Sequence, residues 1–370
     1  FQAPMGWIAR AQLASAVSNS GAMGIIETSS GEFDAIKGEV AKMHELTDKP
    51  FGMNVALAFV KGAGVIDFVI EQGLKFVTTS SGSPDLCTKN FQAAGIKVFH
   101  VVPTLGMALK ALDAGVDGLV VEGGEGGGFK NPRPVSTMVL LPLIRERTDV
   151  PIIAAGGICD GPTMAAAFAL GAEGVQLGTA MLSCADSPVH QNWKQAIYDG
   201  KETDTVFLNQ QGRPALRAMR TGRTGELELL GQFQPFEHMA NILDLYFGGD
   251  LEAAIPLTGQ VMGRIHESRS AAEVVTSTME GFHACLATID FLPFDNTLKI
   301  YVFKKEHAVQ LSFKLSEQAV FTDRVSIKDM EIICQEWNNG GVNGIETWMG
   351  KVYWEERKVG PRPDCKPASF

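Results

Sequence analysis

Basic residues are in the minority in this chain of 370, where 32 Lys and Arg stand against 42 Asp and Glu for a net charge of −10. No basic cluster interrupts that balance, so nucleic acid and anionic membrane surfaces are excluded as natural partners. Cysteine is scarce as well. The six (Cys87, Cys159, Cys184, Cys285, Cys334, Cys365) are scattered and never form a C-x-x-C pair. That argues against a zinc site or a disulfide framework and for a reducing, cytoplasmic setting. No metal is expected. No unbroken apolar run reaches the roughly 18 residues of a membrane span. The richest stretch, TMAAAFALGAEGVQLG, is interrupted by Gly171, Glu173 and Gly174. No signal peptide is evident. The chain opens at Phe1 inside a strand-like stretch, FQAPM, which reads as a first strand cut short.

What is present is a repeat. Eight short apolar runs recur over the first 183 residues: 1–5, 23–27, 51–57, 75–81, 97–102, 118–124, 151–157 and 174–179. They are nearly continuous in Val, Ile, Phe and Ala, as strands covered on both faces are. Between them lie amphipathic segments. EFDAIKGEVAKMHELTD spaces Phe33, Ile36, Val40 and Met43 at helical intervals, and several others end in Gly. Asp160 before Gly161-Pro162 reads as an N-cap and helix start. Eight such units in right-handed succession predict a (β/α)8 TIM barrel over residues 1–199. The alternative, an open doubly wound sheet, needs a glycine phosphate loop after its first strand, and GWIAR is not one.

Residues 200–290 break the repeat. They contain helix-like stretches without a clear strand, and read as a helical cap over the barrel mouth with a returning helix. Composition shifts again over 291–370, where 22 of the 80 residues are charged and three of the five Trp lie. This small C-terminal extension has no assigned role. Within it, YVFKKEHAVQLSFKLSEQAVF alternates like a hairpin, and the last ten residues read as loose.

In such a barrel the chemistry is built at the C-terminal ends of the strands. The sixth run is followed by five glycines among residues 123–128. The seventh ends in Gly156-Gly157 and the eighth in Gln176-Leu177-Gly178-Thr179. Amides of Gly157, Gly178 and Thr179, with the Thr179 hydroxyl, are placed to hold a phosphate. The plainer reading is that these glycines only make tight turns. Asn54, a polar residue at the end of an apolar strand, needs a partner. It either meets a ligand or caps a loop. His100 is either an inward-facing catalytic group or a satisfied core histidine. Lys130 either binds an anion or is solvated. His190, Arg213 and Arg217 are further candidates near the mouth, each with an ordinary surface alternative. Cys159 is not expected to be a nucleophile.

The stretches QAPMGW, LASAVSNSGAMGII, KPFGMNVAL, EGGEGGG and AAGGICDGPTMAAAFALGAEGVQLGT resemble the nitronate monooxygenase (2-nitropropane dioxygenase) family. These are FMN-dependent TIM barrels related to flavin-dependent enoyl-acyl-carrier-protein reductases. The resemblance covers roughly residues 1–290. Family members extend upstream of QAPM, in keeping with a truncated first strand. The resemblance implies FMN contacts. Ala3, Pro4 and Met5 lie under the flavin ring, Asn54 hydrogen-bonds it, Glu122 is a cofactor contact at a position where the family often has Gln, Gly127 and Gly128 line the ring's edge, and Gly156, Gly157, Gln176, Leu177, Gly178 and Thr179 take the phosphate. It also exposes a departure. Nitroalkane-oxidising members carry a His base where this chain has Phe129, and a phenyl ring accepts no proton. Three activities stay open. One is oxidation of an already anionic alkyl nitronate with O2. Another is NAD(P)H-dependent reduction of an enoyl thioester, and the third is flavin binding without turnover.

Overall fold

The computed structural model describes residues 1–59 and 64–287 with their side chains, and beyond these the backbone of 288–291, 297–304, 307–315, 330–338, 348–350, 353–355 and 358–360. Two compact units divide the chain, Phe1–Cys285 and Leu286–Phe370.

In the first unit, β1 (Gly24–Ile26), β2 (Phe51–Ala56), β3 (Phe76–Ser80), β4 (Lys97–Val102) and β5 (Gly118–Glu122) pair in parallel in chain order. β6 (Gly128–Lys130) leaves this sheet, while β7 (Ile152–Ala155) and β8 (Gly174–Gln176) continue it. Residues 1–3 then close the ring. Leu177 N donates to Phe1 O and Ala3 N to Leu177 O, both at 2.9 Å, and on the other side Gln2 N donates to Met23 O at 3.0 Å. The Gln2 side chain completes the seam. Its Oε1 accepts from Ile25 N at 3.1 Å and its Nε2 donates to Ile25 O at 3.2 Å. A side-chain amide thus does the work of a peptide group in the ladder. The result is the (β/α)8 barrel that the repeat predicts.

The helices α1 (Ala11–Asn19), α2 (Phe33–Leu46), α3 (Gly64–Glu71), α4 (Thr88–Ala93), α5 (Leu105–Asp113), α6 (Thr137–Arg145) and α7 (Gly161–Ala169) cover the strands. Helices this short are marginal alone, so packing holds them. In α2 the fully buried Ile36, Val40 and Met43 contribute about 1.5–3 kcal/mol each. Asp160 caps α7 as expected: its side chain accepts from Thr163 N at 3.0 Å, and Thr163 answers in a capping box.

Strand alternation sorts side chains between two layers. Met53, Val55, Val98, Val102, Leu119 and Val121 face the helices. Phe1, Phe76, Phe99, Val101, Val120, Ile153 and Ala155 fill the barrel. Three phenyl rings form the lowest layer, Phe76 lying 5.4 Å from Phe1 and 5.1 Å from Phe99 between centroids. Gly52, Gly118 and Gly174 make room for them. A Cβ on Gly118 would overlap the Phe99 ring, and one on Gly174 would stand 3.1 Å from Phe1.

Residues 200–285 differ from the expectation of a strandless cap. β9 (Thr205–Leu208) and β10 (Ala215–Met219) pair antiparallel, and β6 joins β10 to make a three-stranded sheet. These strands are short, and β6 sits in a glycine loop, so no alternation long enough to read exists there. Their apolar side chains, with Leu227 and Ile255, form a small core of their own. Helices α8 (Thr179–Leu182) and α9 (Gln191–Asp199) precede this sheet, and α10 (Gly222–Glu228), α11 (Ile242–Tyr246) and α12 (Ala271–Phe291) follow it. In the second unit β11 (Thr297–Lys304) pairs antiparallel with β12 (His307–Leu315), followed by β13 (Met330–Asn338) and β14 (Trp348–Gly350). The hairpin read from alternation is present there. Residues 305–306 and 316–321 of that stretch, and the final ten residues, lie outside the described ones. Among the described residues no helix is long and apolar enough to cross a membrane.

The seam at Gln2 yields a prediction. Gln2 is fully buried, and Gln2→Leu keeps its bulk while leaving the Ile25 N–H and C=O unpaired. Two such groups cost on the order of 3 kcal/mol. Urea unfolding should show that loss, and an unchanged midpoint would mean the seam is held elsewhere.

Candidate active site

The C-terminal ends of β5, β7 and β8 surround a cavity of about 50 Å³. Ala3, Glu122 and Gly127 line one side, and Gly157, Ile158, Gln176, Gly178 and Thr179 the other. Gly156 and Gly157 turn the chain out of β7 with left-handed backbone, φ +85° and +78°, a conformation glycine adopts without strain. A Cβ on Gly156 would also stand 2.8 Å from Gly123 O. Among the described residues, no protein acceptor takes the amide hydrogens of Gly157, Ile158, Gly178 or Thr179. Four amides without a protein acceptor, two of them on the half-buried Gly157 and Gly178, thus border one small space, an arrangement able to receive an anion. The Thr179 hydroxyl also reaches it and accepts from Gly259 N at 3.0 Å.

Two carboxylates approach the same space, and each is compensated. Glu122 ends β5 on its inner face. Lys130 Nζ, on a side chain 2% exposed, lies 2.7 Å from Glu122 Oε1 and donates also to Gly127 O and Phe129 O at 3.0 and 3.3 Å. Glu125 accepts from Thr137 N at 2.9 Å and from the Thr137 hydroxyl at 3.0 Å, holding the start of α6. Arg217 on β10 donates to Gly124 O at 2.6 Å. Burial pulls its guanidinium down from its ordinary value, and the Glu125 charge pushes back. The cations come from the cap sheet and the carboxylates from the barrel.

Phe129 and Lys130 leave β6 on opposite faces. The Phe129 ring stacks on Phe59 at 6.1 Å and meets Phe236 at 5.9 Å. These three rings come from the loop after β2, from β6 and from the cap. Lys130 is neither solvated nor free for an anion, because Glu122 holds it. The inward-facing reading of His100 is corrected. It shares the parity of Val98 and Val102, so it faces the helices, and its Nδ1 meets Thr79 Oγ1 at 2.7 Å. Asn54 does lie on the inner face, but its partners are Thr78 Oγ1 at 2.9 Å and Ser80 Oγ at 3.3 Å. Leu177 has no amide to give, since it bonds the first strand and its side chain packs among the helices. His190 caps α9, accepting from Asn192 N. Arg213 is exposed. The buried Cys159 thiol is pushed up to about 11, chiefly by burial, as suits packing. Ala3, Gln176, Gly127, Gly156, Gly157 and Gly178 do converge on the cavity, whereas Pro4, Met5 and Gly128 do not line it, and Met5 packs against the main core. Two partners were not foreseen. The Ile158 amide was masked by its apolar side chain, and Gly259 lies 80 residues from Thr179 with no motif around it.

The nitronate monooxygenase family model matches residues 1–63 and 58–281. A (3aS,4S,5R,7aS)-5-hydroxy-7a-methyl-1-oxo-octahydro-1H-indene-4-carboxyl-CoA dehydrogenase of Rhodococcus jostii is 32% identical over 234 residues, 63% of this chain. The match spans 65% of that relative, just under two thirds of its length. A probable nitronate monooxygenase of Staphylococcus saprophyticus is 30% identical over 58% of this chain and 74% of its own. The solved structure of FabK from Thermotoga maritima superposes with a TM-score of 0.73 at 30% identity, covering 78% of this chain and 94% of that one.

The placement of His100 is testable through pH. Burial lowers it to about 4 from 6.5, so the unfolded chain takes up this proton first as pH falls. Stability present above pH 6.5 is then lost on the way down to about 4, on the order of 3 kcal/mol in full. His100→Gln keeps a partner for Thr79 and should flatten that decline between pH 6.5 and 4.5. Equal slopes in the two proteins would show that His100 is not held neutral.

Proposed function

The chain belongs to the nitronate monooxygenase family, and on that premise we propose that it is an FMN-dependent oxidoreductase with its cofactor at the barrel mouth. The observation that carries this reading is the group of unengaged amides at Gly157, Ile158, Gly178 and Thr179 around one cavity. A phosphate dianion would satisfy them, at the loops after the last two strands where barrels of this kind bind phosphate. The cavity, at about 50 Å³, has room for a compact group of that kind. Lys130 and Arg217 offset the two nearby carboxylates, so the wall carries no net charge against the dianion.

Bound there, FMN supplies two-electron redox chemistry at its ring. Ala3, Pro4 and Met5 would support the ring, with Asn54, Glu122, Gly127 and Gly128 along its edges and Gln176 towards the phosphate. The chain's own contribution is to bind, orient and exclude water. An alkyl nitronate with O2 as the electron acceptor is the substrate reading we favour, because a nitronate is already an anion and Phe129 offers no base. The Phe59–Phe129–Phe236 cluster, on the same short strand as Lys130, together with a carboxyl-CoA dehydrogenase among the relatives, supports a second reading. There, an apolar acyl or enoyl thioester is the substrate and NAD(P)H the electron donor.

Purified protein should be yellow. Anaerobic bleaching by propyl nitronate supports the first reading. Bleaching by NADH or NADPH, with recovery on adding crotonyl-CoA, supports the second. Bound flavin that neither donor bleaches would make this a binding module. Phosphate placement has its own check. A Cβ on Gly178 would meet only Ala3 Cβ, at 3.7 Å, so Gly178→Ala should still take up FMN. Gly178→Asp sets a carboxylate beside the phosphate and should weaken FMN binding on the order of 100-fold, about 3 kcal/mol. Wild-type affinity in the Asp variant would rule this placement out.

A further inference from the structure

Two loops from well-separated strands meet at Phe129. With residues 1–3 as the first strand of the ring, β2 is the third and β5 the sixth, and β3 and β4 stand between them. Neighbouring strands lie about 4.8 Å apart, so a contact between the loops after β2 and β5 runs over the barrel mouth. Phe59, three residues beyond β2, makes that contact. Its ring is nearly parallel to that of Phe129, 13° between planes, with centroids 6.1 Å apart. Carbon atoms in contact stand about 3.5–4 Å apart, so the two faces overlap only in part. Phe236 closes one side, its centroid 6.1 Å from Phe59 at 67° and 5.9 Å from Phe129.

The three rings are held unequally. Phe129 is fixed from behind, because it pairs with Leu216 between β6 and β10 and packs against the cap core. Among the described residues Phe59 packs against none of the three apolar cores, and Phe236 is 53% exposed. Apolar surface left open beside a site marks a place for a ligand's apolar part. The rings do not line the phosphate cavity, yet they adjoin it. Lys130, next to Phe129 in the chain, donates to Gly127 O, and Gly127 lines that cavity.

We propose that Phe59, Phe129 and Phe236 form the subsite for the substrate's hydrocarbon chain, with Phe129 as its fixed wall and Phe59 as the ring that yields. The proposal rests on the oxidoreductase reading above for the reacting group. It names what the two substrate classes there share, an unbranched alkyl chain, carried on a nitronate or on a thioester. The chain enters between the faces of Phe59 and Phe129 and replaces their partial stack. Chain length then sets substrate preference together with the reacting group.

Binding without turnover reads the subsite directly. The full-length protein, with whatever cofactor it retains, is titrated calorimetrically with sodium alkanoates from butanoate to octanoate, whose planar anionic head resembles a nitronate. Wild-type affinity should rise about fourfold per added methylene, the share of a buried CH2. Phe59→Ala and Phe236→Ala remove rings that support no core, so both should keep the wild-type melting temperature and show a much shallower dependence on length. Phe129→Leu keeps bulk against the cap core without the flat face and should fall between. In turnover, kcat/KM should climb with chain length for alkyl nitronates or for 2-enoyl-CoA esters, and the series that climbs identifies the head group. The loss in Phe59→Ala should grow with length and appear in KM. Wild-type affinity that ignores chain length, or an undiminished dependence in folded Phe59→Ala, overturns the subsite and leaves the flavin reading of a yellow protein intact. Colourless protein that still shows the dependence, and loses it in Phe59→Ala, supports the subsite and removes the flavin reading.

Discussion

The Gln2 seam is the contact on which the site's geometry depends. A parallel sheet of seven strands has two open edges, and its ends converge only if those edges are joined. Residues 1–3 join them with four main-chain bonds and a buried side-chain amide that imitates a further peptide. Once the ring is closed, the turns after β7 and β8 lie beside Ala3, and amides that would otherwise face water are gathered around one space. Below them, three phenyl rings set against three glycines fill the barrel. Large side chains opposite absent ones keep the ring round while the mouth stays free of bulk.

Electrostatics divides the labour differently from the backbone. The barrel contributes both carboxylates, and the small cap sheet contributes both cations. A buried carboxylate without a partner costs several kcal/mol, so Glu122 and Glu125 tie the position of the cap to that of the barrel. The same tie runs through Thr179, whose hydroxyl takes the Gly259 amide, and through Gln260 N, which donates to Glu125 O. The returning segment at 258–260 is thereby part of the cavity's surroundings.

Much of this was legible in the residues because it rests on local pattern. Eight apolar runs, their spacing and the glycine turns specify a barrel, and Asp160 announces its helix. The short strands of the cap were not legible, since three to five residues beside a glycine loop carry no usable alternation. Side-chain direction was the other gap. His100 looks like a candidate until Val98 and Val102 show which face it shares. Asn54 does need a partner, and finds it in Thr78 and Ser80 on the next strand. Lys130 could not be assigned, because its partner depends on where the glycine loop folds back. Gly259 reaches Thr179 only through the tertiary fold.

Phe129 and Lys130 are adjacent in the chain yet serve an apolar wall and a charged one. Inserting or deleting a single residue between Glu122 and β6 would exchange their roles, turning an ammonium into the phenyl cluster and a ring against a carboxylate. The glycine loop is thus constrained in count as well as in composition, for a Cβ on Gly123 would already stand 2.5 Å from Thr137 N and one on Gly127 2.7 Å from the Thr258 carbonyl carbon. Changes of length there are tolerated only in pairs.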